Sequence, residues 1–121
     1  MRGWMMAVAL VAAPAMAAEQ QFDLICSGSR KAAAHYRVDL ARGEWCQAEC
    51  KGTVKIADAT LGTLTLLNRK AVRPRDSESR VTINRSTGEW HSYWSFGDQL
   101  PVVEDGVCLP AAFSGFPATR F

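Results

Sequence analysis

The stretch Arg80-Val81-Thr82-Ile83-Asn84-Arg85-Ser86-Thr87-Gly88-Glu89-Trp90-His91-Ser92-Tyr93-Trp94-Ser95-Phe96 reads as a β-hairpin. Val81 and Ile83 alternate with Arg80, Thr82 and Asn84, a period of two with one wet face. Asn84 to Glu89 makes a short hairpin loop, with Gly88 taking the left-handed position that costs glycine least. After the loop, Trp90, Ser92, Trp94 and Phe96 share one face of a strand, and His91, Tyr93 and Ser95 share the other. The plain reading puts Trp90, Trp94 and Phe96 in a core, with Tyr93 covering a cross-strand neighbour. The functional reading leaves an aromatic at the surface to anchor a partner, a sugar ring or another ligand.

The same period recurs on both sides of this hairpin. Phe22, Leu24 and Cys26 form a first alternating run, followed by Tyr36, Val38 and Leu40, by Val54 and Ile56, and by Leu64 and Leu66. The runs are short and rich in Val, Ile, Thr and aromatic residues, and turn residues such as Arg42-Gly43 separate them. The expected fold is all-β: a small antiparallel meander forming a barrel or a sandwich. Arg69 to Glu78, charged and containing Pro74, reads as the longest exposed loop, and Asp105-Gly106 as a tight turn. Arg30 to Tyr36 is the one helical candidate. The tail from Phe113 to Phe121 is expected to lie over an open end of the core, with Phe113 and Phe116 inserted.

The first residues set the compartment. Arg2 precedes the apolar run Trp4 to Ala13, and Ala15-Met16-Ala17 offers a small-x-small cleavage site. Residues 1–17 thus read as a signal peptide and 18–121 as a single β-rich domain, periplasmic or secreted. In an oxidising compartment Cys26, Cys46, Cys50 and Cys108 become two disulfides out of three possible pairings. Cys26 lies in the first strand and Cys108 in the last, which a closed meander makes neighbours, so Cys26–Cys108 with Cys46–Cys50 is the preferred set. Four extended residue steps would separate Cys46 from Cys50 by about 13 Å, beyond the ~4.4–6.8 Å a disulfide spans. Gln47-Ala48-Glu49 must therefore reverse the chain.

Chemistry-bearing motifs are sparse. The basic residues number 14, Arg2 among them, against 12 acidic ones, a balance that argues against a nucleic-acid partner. No further apolar stretch approaches the ~20 residues of a membrane span, so no membrane insertion is expected. His35 and His91 are far apart in sequence, and the cysteines lack two close pairs, so no metal site is expected. No Gly-x-Ser-x-Gly elbow or phosphate loop is present, so no catalytic residue and no cofactor are assigned. The best binding candidates are Tyr93 and His91 with the adjoining Arg85 and Trp45. Arg69, Arg73, Arg75, Arg80 and Arg85 are interleaved with Asp76 and Glu78 and read as a solvated charge network.

The frame Cys26, Val38-Asp39-Leu40, Trp45-Cys46 with Cys50, Ile83 to Gly88, and Gly106-Val107-Cys108 before an aromatic tail resembles small exported bacterial β-proteins of unknown function. Tyr93-Trp94-Ser95-Phe96-Gly97-Asp98 is more loosely similar to the late aromatic-glycine segment of periplasmic lysozyme inhibitors. That family's Ser-Gly pair shortly before a Tyr has its nearest counterpart in Ser27-Gly28, on the other side of the turn from Tyr36. The expected function is a non-enzymatic small binding or interaction protein of the bacterial cell envelope, its partner an envelope protein or a small ligand. An inhibitor of a cell-wall-degrading enzyme of the lysozyme type is the alternative, and a small hydrolase the third.

Overall fold

The alternating runs become strands of one sheet. A computed structural model describes residues 20–29, 33–72 and 75–117; residues 1–17, read as a signal peptide, lie outside them. The strands are β1 (Gln21–Gly28), β2 (Ala34–Asp39), β3 (Glu44–Gln47), β4 (Val54–Lys55), β5 (Asp58–Ala59), β6 (Thr63–Val72), β7 (Arg75–Asn84), β8 (Glu89–Phe96) and β9 (Val102–Ala111). They join in the order β4-β3-β2-β1-β9-β8-β7-β6-β5, antiparallel at every step, and the sheet curls into a half-barrel.

Its two edge strands are successive pieces of one segment. Residues 54–55 pair with β3, through Glu44↔Lys55 and Trp45↔Val54, and residues 58–59 pair with β6, through Asp58↔Thr65 and Ala59↔Leu64. Between them Ile56 donates its N–H to Gly43 O on one side, and Ala57 donates to Thr65 O on the other. The segment thus ties the two long edges together at the end that carries the β2–β3, β5–β6 and β7–β8 connections, here called the turn end. Toward the opposite end, the mouth, no ladder among the described residues joins β3 to β6.

The core fills the turn end. Leu24, Cys26, Tyr36, Val38, Trp45, Leu64, Leu66, Val81, Ile83, Trp90 and Cys108 form one buried cluster on the concave face. Val38 and Leu66 are fully inaccessible. Both disulfides are those expected. Cys26 and Cys108 stand opposite each other in the β1–β9 ladder, and Cys46 and Cys50 close a reversal in which Cys50 N–H donates to Gln47 O. Cys50 itself adopts a positive φ of 35°. Gly88 occupies the left-handed position (φ 81°) expected of it.

Three local expectations are corrected, and the one helical candidate is strand where it is described. Arg69 to Val72 and Arg75 to Glu78 are strand and not loop: β6 and β7 stay paired from Thr63↔Asn84 to Val72↔Arg75, and the directly opposed Arg69 and Glu78 make an ion pair (2.7 Å), while residues 73 and 74 lie outside the described residues. Ala34 to Tyr36 is strand, because pairing with β1 outweighs the helix preference of alanine; residues 30–32 lie outside the described residues. Asp105-Gly106 is strand interior. A side chain on Gly106 would collide with the Ser27 carbonyl oxygen, so this glycine serves a close approach of β1 to β9 rather than a turn. The described part of the tail, residues 113–117, crosses the convex face of β1 and β2 instead of capping the core, and residues 118–121 lie outside the described residues. Buried Asp23 accepts hydrogen bonds from the Ser114 N–H (3.1 Å) and hydroxyl (2.6 Å), and the Arg37 guanidinium donates to Gly115 O (3.0 Å). Phe113 and Phe116 meet edge to face, with Arg42 over the Phe116 ring.

Candidate functional site

Cross-strand rows on the concave face show where the core stops. Leu64, Ile83 and Trp90 stand side by side on β6, β7 and β8, all buried. The next row toward the mouth is Leu66, Val81, Ser92 and Glu104. The row after that is Asn68, Ser79, Trp94 and Val102, and beyond it come Lys70, Ser77 and Phe96. Side-chain direction still alternates with period two, so these positions face the same concave side as the core. Their chemistry changes on adjacent strands at the same level, from aliphatic to hydroxyl, amide and ammonium.

Gln47, Asn68, Lys70, Ser77, Ser79 and Trp94 line a cavity of about 230 Å³ at the mouth. Gln47 belongs to β3 and the others to β6, β7 and β8, so the cavity lies across the unpaired seam. Trp94 is 42% exposed, whereas Trp45 and Trp90 are 1% and 3% exposed. Its ring is stacked on Phe96, with centroids 5.9 Å apart and planes inclined by 10°. The expectation that Trp90, Trp94 and Phe96 all fill the core therefore holds for Trp90 and not for Trp94. Deeper in, burial pushes the Tyr36 hydroxyl up to about 12; the Trp90 indole N–H opposes that shift, and the Glu104 carboxylate adds to it. Tyr36 thus stays a neutral hydroxyl beneath the mouth.

The sequence-based candidates separate. His91 and Tyr93 share the convex face of β8 and line a groove of about 450 Å³ with Glu78, Arg80 and Thr82. His91 contacts Asp105, and Glu78 makes solvated ion pairs with both Arg69 and Arg80. Trp45 is in the core on the opposite face of the sheet. Arg85 is at the turn end, where its guanidinium donates to Thr60 O (2.5 Å) and lines a larger, mainly apolar cavity of about 530 Å³ above Leu24, Leu64 and Ile83. The mouth residues escaped sequence reading for a definable reason. Alternation locates a face only where one side is apolar, and Asn68, Lys70, Ser77 and Ser79 sit between polar neighbours. The available signal was the continuation of Leu64-x-Leu66 into x-Asn68-x-Lys70.

One grouping has the residue types of a hydrolase. His35 Nε2 lies 2.6 Å from Asp23 Oδ2, and the Ser114 hydroxyl donates to that same oxygen. The carboxylate stands in the middle, so the serine proton is committed to Asp23 and not to the imidazole that a nucleophilic serine requires. Burial raises the Asp23 pKa, but the bonds from Ser114 and His35 outweigh it and hold the carboxyl below its ordinary 3.8. The trio clasps the tail. Among the described residues no group of three His, Cys, Asp or Glu side chains is placed to hold a metal ion, and no helix is long and apolar enough to cross a membrane. No family model, curated protein or solved structure matches this chain.

Proposed function

We propose that the chain is an exported, non-enzymatic binding protein of the bacterial cell envelope, and that its ligand enters the mouth of the half-barrel. The observation that carries this reading is the coordinated change on the concave face, where Asn68, Lys70, Ser77 and Ser79 take positions that apolar residues hold two to four residues away on the same strands. Polar side chains there leave part of the concave face uncovered, and a site for a ligand accounts for that cost better than stability does. Two disulfides suit an oxidising compartment such as the periplasm.

Trp94 supplies a local probe, since Trp45 and Trp90 are shielded. Titration with fractionated envelope extract is expected to change tryptophan emission, and Trp94→Phe to abolish the change with the fold retained. His91→Ala and Tyr93→Ala are expected to leave it intact. A response that survives Trp94→Phe and disappears in either convex-face variant would move the site to the groove of β7 and β8.

A further inference from the structure

We infer that the mouth takes a single acidic sugar residue, its ring laid on the Trp94 indole and its carboxylate held by Lys70, an inference that rests on the mouth being the binding site. The aromatic comes first. The half-exposed indole is stacked on a parallel phenyl ring, a contact that favours one orientation before any ligand arrives. It presents a flat apolar face, and the C–H face of a pyranose matches such a surface.

The polar lining selects among flat ligands. Gln47 and Asn68 each offer a carbonyl acceptor and an amide donor, and the Ser77 and Ser79 hydroxyls both donate and accept. Groups of that kind pair with hydroxyls, which also do both. A planar hydrocarbon or a simple aromatic acid would cover them without replacing their bonds to water, at a cost of about 1–3 kcal/mol for each group left unpaired. Among the described residues that line the cavity, Lys70 is the charged one. Its ammonium calls for a negative group on the ligand. A phosphate ester is better served by clustered cations or a nest of backbone N–H groups. The volume, about 230 Å³, falls below the ~300–1,000 Å³ of pockets for drug-sized ligands, which suits one ring. A hexuronic acid has all four properties: one ring, an apolar face, several hydroxyls and one carboxylate.

The test uses glucuronic and galacturonic acid as free monosaccharides, trigalacturonate as the polymer source, and galactose and acetate as controls. Binding is followed by Trp94 emission and by calorimetry on the oxidised protein. At least one uronic acid is expected to bind tenfold or more tightly than galactose, with acetate silent at the same concentration. Lys70→Met is expected to bring the uronic acid down to the affinity of galactose, and Trp94→Phe to weaken both sugars while circular dichroism and melting stay as in the parent. Trigalacturonate is expected to bind at least as well as the monomer, since a terminal residue satisfies the site. Equal binding of uronic acid and galactose, binding of acetate as strong as that of the uronic acid, or binding of trigalacturonate alone would each overturn the inference. So would silence from all the sugars. If the Trp94-dependent response to envelope extract persists in that case, the mouth remains the site and only the ligand class is wrong; if that response is also missing, the mouth reading falls with it.

Discussion

The turn end and the mouth of this half-barrel are made by the same strands and face the same concave side, yet they differ in nearly every property. At the turn end Leu64, Leu66, Val81, Ile83 and Trp90 are packed against β1, β2 and β3, and segment 54–59 ties the edges of the sheet. At the mouth the seam is unpaired and the inward side chains are amides, hydroxyls, an ammonium and a half-exposed indole. Period two governs both ends, so the difference is not one of secondary structure. It shows that folding information and recognition information occupy separate lengths of the same strands, with the changeover between Leu66 and Asn68 on β6 and between Val81 and Ser79 on β7.

Breaking the turn end should cost most. Replacing Cys26 and Cys108 together with serine removes a closure over 82 residues, and the chain-entropy model puts the loss at about 4 kcal/mol, visible as a large drop in the denaturant midpoint. Removing Cys46 and Cys50 opens a far smaller loop and should cost about half as much. Leu66→Ala, at a fully buried site, should cost about 3 kcal/mol with the slope of the denaturation curve unchanged.

The convex-face clasp should come next, and it carries a pH signature. Because the Asp23 carboxyl is held below 3.8 when folded, its contribution is complete above the ordinary carboxylate range and is lost as pH falls through the lower folded value. Asp23→Asn should lower stability at pH 7 by about 1–3 kcal/mol, and the gap to the parent should narrow below pH 3.8. A gap that stays constant across that range would mean the carboxylate charge does not hold the tail.

The smallest effects belong to the mouth, and there the sign is the point. Ser79→Val and Asn68→Leu extend the apolar rows and should leave stability unchanged or raise it by about 0.5–1 kcal/mol, while ligand binding is lost. Marked destabilisation by either change would show that the polar rows are structural, and the contrast between the two ends would lose its functional meaning.

Sequence reading reached one end better than the other for this same reason. The runs around Val38, Leu66 and Ile83 announce a buried face because each apolar residue is flanked by polar ones. The Cys26–Cys108 pairing follows once the first and last strands of a meander are taken as neighbours. Where both faces are polar, as from Asn68 to Ser79, alternation is silent, so paired strands read as a charged loop. Asp105-Gly106 misled for a related reason: a glycine needed for close approach is indistinguishable in sequence from one needed for a turn. Alternation puts Tyr93 and His91 on one face together, but the expectation that Trp45 and Arg85 adjoin them fails, because β-sheet register sends these to the core and to the turn end.

The strand order also bears on how the chain is made. Every neighbouring pair of strands is consecutive in the chain except β1 with β9, which joins the first strand synthesised to the last. From β2 onward the meander can zip up by short steps, the kind of local closure that keeps folding fast. β1 gains β2 early but must wait for β9, and Cys26 waits with it. Cys46 and Cys50, only four residues apart, find each other first and so withdraw themselves as wrong partners for Cys26. The small disulfide thus keeps two wrong partners away from the large one while the chain folds, a kinetic duty that its modest share of the final stability would not suggest.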